Sequence, residues 1–339
     1  MNATHAIRCL VLALVCMIGF EALAQIDEFG LDQNEWARTG SVPIDPDVAE
    51  ARRLLALDQP AAALALLNTW IDTHKYTSHP DLPEAYLLRG DAKNAKNDEY
   101  EALYDYEVVI KQFYGSDAFP KAVEREFEIA VRYINGLRRY WLGLFRVQRA
   151  TSLGEELLIR VQERMPQSQL AEIAALELAD HYYKQRDMRM AADMYGIFVE
   201  NYPQSEHRVY AGLRQIFSNI ASFKGPRYDR SGLIESQVLI ERFQARYPAD
   251  AEQAGITVQL QTWIDESAAN HLLDTAVWYL KRRDEASARF VLRRVIRNHP
   301  GSTAASQAAD IMLKRGWLET APTERSTDTN PETTDDVEQ

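Results

Sequence analysis

The apolar positions of the chain recur at the three- and four-residue intervals of amphipathic helices, and runs of strict alternation are few. A longer rhythm is laid over this one by small residues. Ala51 and Ala63, Gly90 and Ala102, Ala179 and Ala191, and Ala276 and Ala288 each stand twelve positions apart. Four beyond the second small residue comes a large one: Leu67, Tyr106, Tyr195 and Leu292. Three beyond the first come Leu54, Lys93, Tyr182 and Tyr279, so only the second copy breaks the apolar rule. This spacing predicts pairs of antiparallel helices. A small residue on each lets the backbones approach, and the large side chains one turn later fill the space beside the crossing.

The joints between pairs repeat as well. YPQS (202–205), YPAD (247–250) and HPGS (299–302) share a plan, with MPQS (165–168) as a looser copy. The proline ends the second helix because it cannot continue the hydrogen-bond ladder, and Ser205, Ser302 or Asp250 is expected to cap the next helix. The unit resembles the tetratricopeptide repeat, a helix–turn–helix of about 34 residues. The match runs from 47 to 316, most clearly at 168–203 and 268–302, and also at 47–75 and 82–114. Two copies are stretched. Residues 119–168 keep Ala130/Tyr133 and Gly154/Leu158 around the longer segment NGLRRYWLGLFRVQRATS, and 205–248 carry the insert SFKGPRYDRSG (222–232). A helix over 302–316 closes the series. The predicted fold is all-α: a TPR-type superhelical solenoid of five to six antiparallel helix pairs plus a C-terminal capping helix.

The two ends read differently. Arg8, the apolar run CLVLALVCMIGF (9–20) and Ala22-x-Ala24 predict a secretory signal over 1–24, cleaved after Ala24. The run is too short to span a bilayer as a helix. Both cysteines, Cys9 and Cys16, fall inside it, which leaves the mature chain without a disulfide, a reactive thiol or a Cys metal site. A lipid-modified cysteine would want a small residue just before it and Leu three before; Cys16 has Val15 and Ala13. Residues 25–46 read as an extended segment. Residues 317–339 read as an acidic disordered tail, whose stretch from 319 holds seven acids against Arg325. The net charge of −12 argues against a nucleic-acid partner.

Little in the sequence points to catalysis. The seven histidines (5, 74, 79, 181, 207, 271 and 299) lack metal-ligand spacing, and no phosphate loop or nucleophile elbow occurs. No enzyme activity, metal or cofactor is expected. Solenoids of helix pairs present their first helices as a binding groove. Residues one and four beyond each first small residue are expected to face it: Arg52 and Leu55, Asp91 and Asn94, Asp180 and Tyr183, Val277 and Leu280. Within the insert, Arg227, Tyr228, Asp229 and Arg230 form a candidate docking loop.

The stretch from ELADHYYKQRD (177–187) through the Asp-containing insert GPRYDR (225–230), the long helical pattern over 250–283 and its ending WYLKRRDEASA (278–288) resembles the BamD family. These are subunits of the β-barrel assembly machinery of bacterial outer membranes. The resemblance implies a periplasmic scaffold peripheral to the outer membrane. Its N-terminal repeats would receive the C-terminal targeting segment of unfolded outer-membrane proteins, and its C-terminal repeats would dock on the barrel-forming subunit. Family members are tethered by an N-terminal lipidated cysteine, which the sequence around Cys16 suits poorly. Two alternative roles are a periplasmic repeat protein of the Tol–Pal or cell-division type and an exported scaffold with another client. The first of these usually carries a trimeric coiled coil before the repeats, and residues 25–46 are too short and too broken by Pro and Gly to form one.

Overall fold

The computed structural model describes residues 44–141 and 145–318. Helices alternate along the chain as six pairs: α1 (Pro46–Ala56) with α2 (Pro60–His74), α3 (Leu82–Ala95) with α4 (Glu99–Gln112), and α5 (Ala118–Ile134) with α6 (Thr151–Arg164). Next come α7 (Gln169–Lys184) with α8 (Met188–Asn201) and α9 (Arg208–Ser222) with α10 (Ser231–Arg246). After a short α11 (Pro248–Gln253), α12 (Val258–Lys281) pairs with α13 (Glu285–Asn298), and α14 (Thr303–Lys314) closes the stack. Five apolar clusters follow one another along the described chain, as expected where each pair packs only on its neighbours. The solenoid predicted from the spacing is the fold observed.

The small residues sit where the helices cross. Ala51, Ala63, Ala102, Ala130, Ala179, Ala191, Ala276 and Ala288 have no exposed surface. The glycines report the closeness of approach directly. A Cβ on Gly154 would lie 2.8 Å from the Ala130 carbonyl oxygen, and one on Gly90 would lie 2.4 Å from the Tyr106 ring. A Cβ on Gly232, in α10, would meet the Asn219 carbonyl oxygen at 2.5 Å. The large partners Leu67, Tyr106, Leu158, Tyr195 and Leu292 are wholly buried beside these crossings.

The joints share one backbone conformation. Met165, Tyr202, Tyr247 and His299, each just before a proline, have φ between −132° and −120° and ψ between 54° and 65°. Proline excludes the helical region for the residue ahead of it, so the chain leaves the helix there. The turns inside four pairs share a second device. Asp58, Asn97, Arg186 and Arg283 adopt left-handed φ values of 56° to 64°, each two positions before the second helix.

Three expectations are corrected. Ser302 does cap α14, accepting from the Ala305 amide at 3.0 Å, and Ser168 caps α7 in the same way. Ser205 instead accepts from the His207 amide at 2.9 Å, and α9 starts one residue later. Asp250 is no cap either, since Pro248 opens the short α11 and Asp250 lies in its first turn. The continuous helix expected over 250–283 is broken at Gly255, whose φ of +78° glycine adopts without steric cost. The longer segment in the third pair forms an antiparallel hairpin, β1 (Arg138–Trp141) with β2 (Phe145–Arg149), which follows α5 and Gly136 with its φ of +102°. Its aromatic and β-branched residues favour strand over helix, which the helical reading of the whole chain passed over. The predicted signal and its two cysteines, most of the segment 25–46, and the acidic tail from 319 lie outside the described residues.

Candidate peptide and partner surfaces

The residues expected to face a groove lie on the first helices of their pairs, and several are tied to the next pair. Asp91 accepts from the Tyr106 hydroxyl at 2.9 Å and from Arg125 Nε, on α5, at 3.0 Å. Asp180 repeats the arrangement, accepting from Tyr195 of its own pair and from the Tyr210 hydroxyl on α9 at 3.0 Å. Each carboxylate therefore stitches three helices together. Burial raises the Asp91 pKa above its ordinary value despite the pull of Arg125 and Tyr106, and burial together with the facing carboxylate raises both tyrosines. Tyr183 lies under the Arg214 guanidinium, 4.3 Å from its ring centre. Arg52 is exposed and pairs with Glu84 of α3 at 2.8 Å, while Leu55 is half-buried against the first apolar cluster. Val277 and Leu280 are likewise half-buried on α12.

An open cleft of about 590 Å³ crosses α3, α5 and α7 on this same face. Phe127, Val131 and Ile173 give it an apolar lining, with Glu128, Glu177 and Arg132 among the charged groups around them. Asn94 lines it too, and it holds Arg132 through its side-chain oxygen. The predicted residues are not brought to one site: Asn94 lines this cleft, Arg52 and Leu55 lie at the N-terminal end, and Asp180 and Tyr183 face α9. Sequence reading missed Val131, which stands one position beyond Ala130 and obeys the rule that selected Asp91 and Asp180. The third pair's stretched spacing had left it unread. Phe127 and Ile173 obey no such rule.

A second hollow of about 680 Å³ lies between the foot of the hairpin and α6 and α7, lined by Arg138, Arg149, Thr151, Glu155 and His181 among others. His181 is buried, with Nε2 3.4 Å from Glu155. Among the described residues no group of three or more His, Cys, Asp or Glu is placed to hold a metal ion. None of the described helices is long and apolar enough to cross a membrane.

The insert is anchored on both sides. Asp229 pairs with Arg189 of α8 and accepts from the Ser231 amide and hydroxyl, which lowers its pKa. His271 Nδ1 of α12 donates to the Pro226 carbonyl at 2.6 Å, and Phe223 packs into the fifth pair's apolar cluster. Arg227 and Tyr228 remain exposed at the tip, whereas Arg230 is partly buried, which lowers its pKa with help from the like charge of Arg294.

Residues 147–326, over half of the chain, match the YfiO family, described as an outer membrane lipoprotein. The chain belongs to this family. Among solved structures, the chain is similar to the C-terminal part of a TPR repeat-containing protein from Cytophaga hutchinsonii. The identity is 12%, covering 77% of this chain and 86% of that one, with a TM-score of 0.36. No curated protein matches the chain. The family match starts within the hairpin and takes in the insert and the arginine-rich end of the last pair, as the BamD resemblance of those stretches implied.

Proposed function

We propose that this member of the YfiO (BamD) family is a non-enzymatic periplasmic scaffold that helps assemble β-barrel proteins into the outer membrane. Client segments lie along the face formed by the first helices, and the C-terminal repeats, with Arg227 and Tyr228 at the loop tip, dock on the barrel-forming subunit. The family match supports this reading together with one observation: an apolar cleft opens on the first-helix face and is not filled by the chain's own side chains. A peptide with a large apolar or aromatic side chain fits such a lining, and Arg52, at the N-terminal end of the same face beside Glu84, offers a cation to an acidic group farther along the segment. Cleavage after Ala24 leaves a soluble chain that reaches the membrane through its partner. Mass spectrometry of the native envelope protein tests that point: an N-terminus at Gln25 supports it, and a diacylglyceryl mass on Cys16 replaces it with a lipid anchor.

Fluorescence anisotropy with a labelled peptide ending in an aromatic residue tests the client site. Ile173 is 38% exposed, so Ile173→Glu leaves the fold intact while placing a charge in the cleft. It should weaken the peptide by about tenfold or more, the worth of one buried apolar side chain. Arg52→Glu should also weaken it, whereas Arg227→Glu with Tyr228→Glu should spare the peptide and reduce binding of the barrel subunit's periplasmic domains. Unchanged peptide affinity in Ile173→Glu and Arg52→Glu alike would remove the client site from this face.

A further inference from the structure

The last helix pair belongs to the C-terminal repeats that the proposed function places on the barrel-forming subunit, and one of its faces has a chemistry that this reading does not account for. α13 turns Ala288, Leu292 and Val295 into the core. Its opposite side presents Phe290, Arg293, Arg294 and Arg297, with Arg289 at the edge, all exposed. Phe290 is 67% exposed, and none of the four arginines forms an ion pair among the described residues. The acids of the neighbourhood are already engaged. Glu285 binds Arg315 of α14 at 2.9 Å, and Asp284 caps the Ser287 amide at 3.0 Å. Arg230 of the insert approaches from the other side and adds a further cation. An unpaired arginine face is unexpected in a chain of net charge −12.

We propose that this face is a docking site for the chain's own acidic segment, residues 319–339. That segment carries Glu319, Glu324, Asp328, Glu332, Asp335, Asp336 and Glu338 against Arg325, a complement to the arginine face. It also starts on the same helix: Trp317, two residues upstream, packs on the cluster that holds the buried side of α13, Leu292 and Val295, so the segment has only to pass around α13 to reach the arginines. The fourteen-residue helix is about 21 Å long, and twenty-one residues, at up to about 3.3 Å each, supply more than enough chain to follow it. The segment can therefore lie along the whole face. Tethering raises its local concentration to the millimolar range, which makes several weak exposed ion pairs sufficient. Docked there, the segment screens the arginines from any other anion, so an anionic partner must displace it.

The test uses the full chain in two forms, wild type and a variant with all seven tail acids changed to their amides. The probe is a fluorescein-labelled peptide of residues 319–339. The amide variant should bind the peptide, and the wild type should bind it about tenfold more weakly or worse, because its own tail competes. Adding Arg289→Gln, Arg293→Gln, Arg294→Gln and Arg297→Gln to the amide variant should abolish binding with unchanged circular dichroism. Raising the salt from 0.05 to 0.5 M should weaken it steeply. Equal affinity of the two forms, or binding that survives loss of the four arginines, overturns the proposal. So does equal binding of phosphatidylglycerol vesicles by both forms with no peptide binding, which assigns the face to a lipid surface. Wild-type dimers that dissociate in the amide variant would place the tail on a second copy and would also overturn it.

Discussion

Gly154→Ala isolates the close backbone contact of the third pair. The added methyl would meet the Ala130 carbonyl oxygen at 2.8 Å, Tyr133 Cβ at 2.9 Å and Ile134 Cγ2 at 2.9 Å. The first of these is backbone, so relief requires α5 and α6 to move apart rather than a side chain to turn. Overpacking of this kind costs about 1–3 kcal/mol. Alanine recovers just under about 1 kcal/mol of helix propensity, which leaves a net loss of up to about 2 kcal/mol. With a urea dependence of about 3 kcal/mol per molar for a protein of this size, the midpoint should fall by up to about 0.7 M. Gly115→Ala is the control, since nothing lies within 4 Å of the added atom. Urea titration followed by circular dichroism reads both. A midpoint for Gly154→Ala at or above wild type would mean that the crossing is looser than described and that small residues do not set the helix spacing.

Ala191→Leu and Ala288→Leu should each lose about 1–3 kcal/mol by the same overpacking, read as lower urea midpoints. Tyr106→Phe and Tyr195→Phe should each cost about 1–2 kcal/mol by leaving Asp91 or Asp180 short of a donor, and the double variant should be near additive because the sites are distant. Glu126, buried on α5 against Arg164, has its carboxyl pushed up to about 7 by burial, although Arg164 pulls the other way. Its folded value lies above the ordinary 4.5, so the group adds no pH dependence below about 4.5. Its contribution to stability falls as pH rises from there to about 7 and is then down by about 3 kcal/mol. Urea midpoints of wild type and Glu126→Gln from pH 4 to 8 should therefore separate in favour of Gln as pH rises; parallel curves would refute the burial argument.

The helix pairs were legible because close packing restricts both size and spacing: Ala51/Ala63 and Ala276/Ala288 announce their crossings with no structure in hand. The joints were legible because proline constrains the residue before it. The hairpin was not, since Arg138–Arg149 is short and sits between strong helical signals, and strand formation depends on the partner strand more than on the segment itself. The left-handed turn residues were hidden for a related reason. Asp58 and Asn97 suit that conformation, but Arg186 and Arg283 do not advertise it. For the candidate surfaces, spacing chose the right helix face without revealing which residues there were free. The hydrogen bonds that commit Asp91 to Arg125 and Asp180 to Tyr210 span 34 and 30 positions. The cleft depends on three helices at once, so a rule written for one pair reached Asn94 and stopped short of Phe127 and Ile173.

Affinity capture from gently solubilised outer membranes, followed by quantitative mass spectrometry, tests the scaffold role most directly. The account predicts a barrel-forming outer-membrane subunit recovered in near one-to-one amount with the chain, and reduced recovery with Arg227→Glu and Tyr228→Glu. Capture of Tol–Pal or cell-division components in stoichiometric amount, with no barrel-forming subunit above background, would contradict it.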